Sequence, residues 1–186
     1  MKKLALLTAL AFSAMQAFAD YQIQFLTYNG SFNNPVLDID GVTKVGNNFR
    51  GQLYAGSSAG SLTAIGNVET FLSGGGAGFI EIGSAYTVSS GTIGGGTAGF
   101  YQLRVWDAAS GATHEIASAT IGAKVGSSAV TAVTFGGTPI GGGVGVLVPQ
   151  ANLHAGFTLS TVVVPEPATI ALGLFGAAGL FIRRRK

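Results

Sequence analysis

"FYQLRVWD", residues 100–107, puts Tyr101, Leu103 and Val105 on one side and Phe100, Gln102, Arg104 and Trp106 on the other. A period of two belongs to a β-strand, because successive side chains leave opposite faces. The pattern recurs along the chain. "NFRGQLYAG" (48–56) sets Phe49, Gly51 and Leu53 against Arg50, Gln52 and Tyr54. "YQIQFLTY" (21–28) and "AVTAVTF" (129–135) alternate in the same way, and "LHAGFTLSTVVV" (153–164) turns Leu153, Ala155, Phe157 and Leu159 inward. A single short helix is expected, around Ser110 to Ala117.

Between these runs lie turn signals. The chain has 30 glycines in 186 residues, roughly twice the ~7 % of average usage, clustered as "SGGGAG", "IGGGTAG" and "IGGGVG". They follow no strict three-residue period, which excludes collagen. Asp38-Ile39-Asp40-Gly41 reads as a hairpin turn between "VLDI" and "VTKV", with Gly41 supplying a positive φ. The expected fold is all-β, an antiparallel β-sandwich of jelly-roll type over residues 20–161. An outer-membrane barrel is the rival, but it calls for more aromatic girdle residues and longer, evenly spaced segments. "GQLYAGSSAG" and "YQLRVWDAASG" share Gln-Leu, an aromatic and a small-residue turn, as equivalent or paired strands would.

Charge and cysteine narrow the function classes. Residues 20–164 carry four cations (Lys44, Arg50, Arg104, Lys124) and seven acids, a net −3, with the other cations at the two ends. There is no basic stripe to neutralise phosphates, so nucleic acid is not an expected partner. The absence of cysteine removes thiolate metal sites, thiol catalysis and disulfides, leaving core burial to stabilise the domain.

Several motifs invite chemistry. Gly56-Ser57-Ser58-Ala59-Gly60 fits the nucleophile elbow G-x-S-x-G, with Asp107 and His114 or His154 following in hydrolase order. A Ser58 nucleophile needs a strand-to-helix turn, and "SLTAIGNV" after it has no helical period. Gly94 to Gly99 fits G-x-G-x-x-G but runs into "FYQLRVW", a strand, where a dinucleotide site needs a helix. Asp38 and Asp40 open like a calcium loop, yet Val42 and Phe49 stand where ligands belong. The alternative to the turn is structural calcium on Asp38, Asp40 and an acid from elsewhere, but no metal site is expected. His114 and His154 lack zinc-ligand spacing, and Glu69, Glu81, Asp107 and Glu115 are scattered acids. No catalytic residue and no cofactor is expected. Trp106, Tyr54 and Tyr101 are candidate contacts for a polysaccharide if their rings are exposed, and core if they are buried. Threonines are scattered, without the flat array an ice-binding surface needs.

The two ends read as addresses. "MKKLALLTALAFSAMQAFAD" has Lys2 and Lys3, an apolar stretch from Leu4 to Phe12, and a small-x-small site at Ala17 and Ala19. That is a signal peptide over 1–19, cut by signal peptidase after Ala19. At the other end, Val164-Pro165-Glu166-Pro167 precedes an uncharged run from Ala168 to Ile182 and the cations Arg183, Arg184, Arg185 and Lys186. Pro165 and Pro167 keep the backbone at Glu166 extended. As a helix the run spans about 22 Å, short of the ~30 Å hydrocarbon core, so it is a marginal transmembrane anchor. The basic tail would hold the C-terminus in the cytoplasm, and Gly173, Gly176 and Gly179 give a small-residue face for close packing.

Triplet, short helix and basic tail, in that order over residues 162–186, resemble the PEP-CTERM sorting signal. The same tail is also labelled an ice-binding-protein C-terminal segment, a label of the tail alone. The resemblance implies recognition of the triplet by an exosortase and removal of the tail, in a Gram-negative bacterium with exopolysaccharide or biofilm systems. The expectation is therefore an exported, non-enzymatic surface or matrix protein. It is held transiently in the inner membrane and then placed at the cell surface or outside the cell. A polysaccharide-binding module is the alternative, and a serine hydrolase on Ser58, Asp107 and a histidine is the third reading.

Overall fold

In the computed structural model, which describes residues 19–26, 28–29, 32–90, 94–137 and 156–163, the strands with the clearest alternation form the centre of the largest sheet. The elements in chain order are β1 (Ala19–Leu26), β2 (Tyr28–Asn29), β3 (Phe32–Asn33), β4 (Phe49–Ser58), β5 (Ser61–Thr70), β6 (Glu81–Ser90) and β7 (Ala98–Asp107). After them come the helix α1 (His114–Ala119) and strands β8 (Lys124–Ser127), β9 (Thr131–Thr134), β10 (Gly136–Gly137) and β11 (Ser160–Thr161). The fold is all-β and every pairing of named strands is antiparallel.

β4 and β7, the two segments that share Gln-Leu, pair directly: Leu53 faces Leu103, Gln52 faces Arg104 and Tyr54 faces Gln102. The six-stranded sheet runs β11-β8-β7-β4-β5, with β9 beside β7, and a three-stranded sheet runs β10-β1-β6. Alternation decides what each buries. Phe49 and Leu53 from β4, with Tyr101, Leu103 and Val105 from β7, meet Tyr21 and Ile23 of β1 and Phe135 in one apolar cluster. The Tyr21 and Phe135 rings are 4.6 Å apart at 47°. One core thus spans both sheets, as expected where each sheet buries a single face.

β7 gives its outer edge to two short partners. β8 pairs with Arg104–Trp106 and β9 with Ala98–Tyr101. Ser128 fills the gap between them. Its N–H donates to the Leu103 carbonyl at 2.9 Å, and its Oγ accepts from the Leu103 N–H at 3.0 Å. The Asp-Gly turn forms as its sequence requires. Gly41 has φ 68°, its N–H donates to Asp38 O at 2.9 Å, and Asp38 N–H donates to Thr43 O at 2.7 Å.

Two expectations change. The helix begins at His114 rather than Ser110, because Asp107 Oδ1 accepts from the Ser110 N–H at 2.8 Å and holds a turn there. Thr113 then caps the helix, accepting from the Ile116 N–H. Of the strand expected over 153–164, the described residues 156–163 form only Ser160–Thr161 and a bridge from Thr158 to Leu37. Phe157 and Leu159 do point to the core, while Leu153 and Ala155 lie outside the described residues. Ala19 opens β1. Among the described residues no helix is long and apolar enough to cross a membrane. The expected helices at the two ends fall on residues outside those described.

Candidate functional site

The side of β4 and β7 turned away from the core carries Tyr54, Gln102, Arg104 and Trp106, and α1 folds over it. The Trp106 Nε1–H donates to the Gly111 carbonyl at 2.9 Å, tying the strand to the loop that leads into the helix. His114 then lies edge-on to both Trp106 and Tyr54, at 6.2 and 6.5 Å between ring centroids. The Tyr54 hydroxyl donates to Glu115 Oε1 at 2.7 Å. The Arg104 guanidinium sits 4.0 Å from the Tyr54 ring centroid and 3.4 Å from the same carboxylate oxygen. Burial, and then the neighbouring Glu115, push the Tyr54 hydroxyl above its ordinary value. Burial, and then Arg104, hold the His114 imidazole below its own. Burial raises the Glu115 carboxyl, but the Tyr54 hydroxyl and further hydrogen bonds outweigh it and leave the value lowered.

This cluster corrects the expected ligand contacts. Trp106 and Tyr101 are 0 % exposed and Tyr54 is 3 % exposed. Tyr101 faces the core between the sheets, while Tyr54 and Trp106 are covered from the helix side. As folded, none of the three offers a ring face to a sugar.

The other chemical candidates are engaged in local structure. Ser58 ends β4 in a hairpin to β5, with no helix after it, and its Oγ accepts from the Gly60 N–H at 3.4 Å. Both Asp107 oxygens are occupied: Oδ1 accepts from Ser110 N–H, and Oδ2 from Ser110 Oγ and from the N–H of Lys124 at the start of β8, each at 2.8 Å. His114 Nδ1 is 3.3 Å from Ser118 Oγ. Ser58, Asp107 and His114 are therefore not joined to one another, and His154 lies outside the described residues. Gly94 to Gly99 leads straight into β7, with no helix at the glycines. In the Asp38–Gly41 turn, Asp40 Oδ1 accepts from the Val42 and Thr43 N–H groups at 2.9 and 2.8 Å. Asp38 Oδ2 pairs with Lys124 Nζ at 2.6 Å. Among the described residues no set of three His, Asp or Glu side chains is gathered as metal ligands.

One open cleft brings together groups that the sequence reading passed over. It measures about 400 Å³ and is lined by Tyr28, Asn33, Lys44, Leu72, Gly75, Gly76 and Phe79. Asn33 reaches it because β2 and β3 pair Tyr28 with Asn33. Lys44 arrives through the bridge that closes the Asp38–Gly41 turn on Leu37. The loop after β5 contributes Leu72, the glycines and Phe79, held by Gly78 N–H donating to Val45 O at 2.7 Å. Gly78 has φ 87°, and a Cβ there would stand 2.7 Å from Pro35 Cβ, so the close approach of this loop depends on glycine. Tyr28 is 51 % exposed and lies 5.2 Å from the buried Phe79 ring. The signal available in sequence was Asn29-Gly30, a hairpin dipeptide that places Tyr28 beside a turn rather than inside a long strand.

Described backbone pairing reaches close to both addresses. β1 pairs Asp20 with Ser89, directly after the expected cleavage position. At the other end Val162 N–H donates to Ala123 O, and Gly122 N–H donates to Val162 O, both at 2.8 Å. These are the last described backbone bonds before Pro165. Val164 to Pro167, Gly173, Gly176, Gly179 and Arg183 to Lys186 lie outside the described residues, as does Ala17. Residues 163–186 match the family model described as the PEP-CTERM protein-sorting motif. No curated protein matches the chain, and no solved structure matches it. The motif marks an exported protein of a Gram-negative bacterium, sorted by an exosortase from a membrane-anchored precursor.

Proposed function

We propose that this is a non-enzymatic β-sandwich protein of the cell surface or extracellular matrix, of jelly-roll type, delivered by removal of both ends and associated with exopolysaccharide in a biofilm. Signal peptidase cuts after Ala19, reading Ala17 and Ala19. The exosortase reads Val164, Pro165, Glu166 and Pro167, while Gly173, Gly176 and Gly179 pack the short helix against it. Arg183, Arg184, Arg185 and Lys186 keep the C-terminus inside until that step.

The observation that carries the reading is the position of the sorting motif relative to the fold. The matched segment starts at residue 163, one position after the bonds of Val162 to Ala123 and Gly122. A cut at the triplet therefore leaves β11 and the core residue Leu159 with the domain. Replacing Pro165, Glu166 and Pro167 together by alanine tests it: full-length protein is expected to accumulate in the inner membrane fraction. Release at the normal rate would refute exosortase sorting through this triplet.

The alternative, a polysaccharide-binding module, is supported by the cleft beside Tyr28 rather than by Trp106, Tyr54 and Tyr101. A hydrolase on Ser58 and Asp107 is not proposed, because Ser58 Oγ serves its own turn and the Asp107 carboxylate holds the turn at Ser110 and the start of β8.

A further inference from the structure

We propose that the cleft walled by Tyr28, Asn33, Lys44, Leu72 and Phe79 binds one acidic sugar residue of a polysaccharide, its ring lying on Tyr28 and its carboxylate on Lys44 Nζ. The inference rests on the exopolysaccharide association proposed above for the source of the ligand, and on the cleft's own chemistry for its identity.

Four cations lie among the described residues, and three are already spoken for by oxygen. Arg104 meets Glu115, Lys124 meets Asp38, and the Arg50 guanidinium donates to the Asn47 and Phe49 carbonyls at 2.9 and 3.0 Å. Lys44 has no oxygen partner among the described residues. Its Nζ stands 5.4 Å from the Phe79 ring centroid, a contact that orients the ammonium without neutralising it. An anion from outside completes it.

The rest of the lining selects what carries that anion. Tyr28 gives an exposed ring and Leu72, 37 % exposed, an apolar shoulder beside it. The C–H face of a sugar stacks on such a ring, while its hydroxyls need donors and acceptors at the rim. Asn33 supplies both from one amide, and that amide makes no hydrogen bond within the described residues. A bare phosphate or sulfate would leave the aromatic surface unused, and a neutral sugar would leave Lys44 unpaired. A volume near 400 Å³ lies at the small end of the roughly 300–1,000 Å³ usual for ligand sites, in keeping with one residue of a chain that runs on into solvent. Two other clefts among the described residues lack this combination. The one beside Asp107 and Lys124 has both its charged groups committed, and the one at Ser57, Phe100 and Thr134 has no charged group.

Calorimetric titration of the full chain in detergent, with oligogalacturonate and with a neutral cello-oligosaccharide of equal length, tests the assignment. The uronate is expected to bind about tenfold or more tightly than the neutral chain, and to weaken as salt rises. Tyr28→Ala is expected to weaken it by about tenfold, and Lys44→Gln to bring uronate and neutral affinities together. Both side chains are exposed, so the variants keep the wild-type unfolding temperature. Uronate binding unchanged in both variants would overturn the cleft. So would failure to bind the uronate at all. Cosedimentation of the wild-type protein with the exopolysaccharide of the producing cells separates the two ideas. Persistence of cosedimentation beside a failed titration overturns the cleft alone, and its loss removes the polysaccharide association as well.

Discussion

Ser128 shows how much one hydroxyl contributes to the large sheet. It is 3 % exposed and takes the place of a neighbouring strand at Leu103, accepting from that residue's N–H while its own hydroxyl donates to Ala129 O at 2.9 Å. Ser128→Ala leaves the Leu103 N–H buried without that partner, at a cost of about 1–3 kcal/mol. Urea unfolding measures it, and an unchanged midpoint would contradict the role. The cluster under α1 makes a second prediction at this scale, in pH. His114 is held below its ordinary 6.5 by burial and Arg104, so its contribution to stability is complete above pH 6.5 and is lost as pH falls through the lowered value. Tyr54 is raised above its ordinary 10.0, so its contribution is complete below pH 10 and is lost as pH climbs toward the raised value. Glu115, lowered from 4.5, adds to the acid side below that pH. The unfolding temperature is therefore expected to plateau between about pH 6.5 and 10. Tyr54→Phe makes the alkaline fall shallower, leaving the part due to Tyr21, which burial also raises. An alkaline limb identical in the variant would show that Tyr54 does not contribute to it.

Among the elements, the pairing of β4 with β7 depends on two places where a side chain does not fit. A Cβ at Gly99 would collide with the Phe135 ring and stand 2.8 Å from the Gly56 carbonyl, which is backbone and cannot turn aside. At Gly51 it would be 2.5 Å from Ile80 Cδ1, the movable end of a side chain. Gly99→Ala is expected to destabilise by about 1–3 kcal/mol, and Gly51→Ala by less, because Ile80 can change rotamer. Equal losses in thermal unfolding would contradict the distinction. Pairing of this kind was legible: the alternation in 48–56 and 100–107 gave strand, faces and shared motif together, and Asp40-Gly41 gave its turn. The covering of Trp106 and Tyr54 was not legible. Period two assigns them to the face opposite the core, and a six-residue helix is too short to announce itself by periodicity. The Tyr28 cleft was hidden for another reason, since its lining comes from three segments that only the folded chain brings together. Trp106, the only tryptophan, reports α1 directly. Its emission is expected to be blue-shifted in the native protein and to move red as the helix detaches; red emission in the native state would contradict the burial.

Over the whole molecule, the described pairing reaches to within a few residues of the two expected cuts. Asp20 is paired in β1, and Val162 holds the last described bonds before the sorting motif. Processing at both ends would thus keep the described strands, β1 without Ala19, and leave a domain of net −3 without the terminal cations. The most direct test is the intact mass of the protein recovered from the cell surface and the medium. A species starting at Asp20 and lacking everything beyond the Pro165-Glu166-Pro167 region is the predicted result. A mature species still carrying Arg183 to Lys186 would mean a permanently tethered protein, and would contradict exosortase processing of this chain.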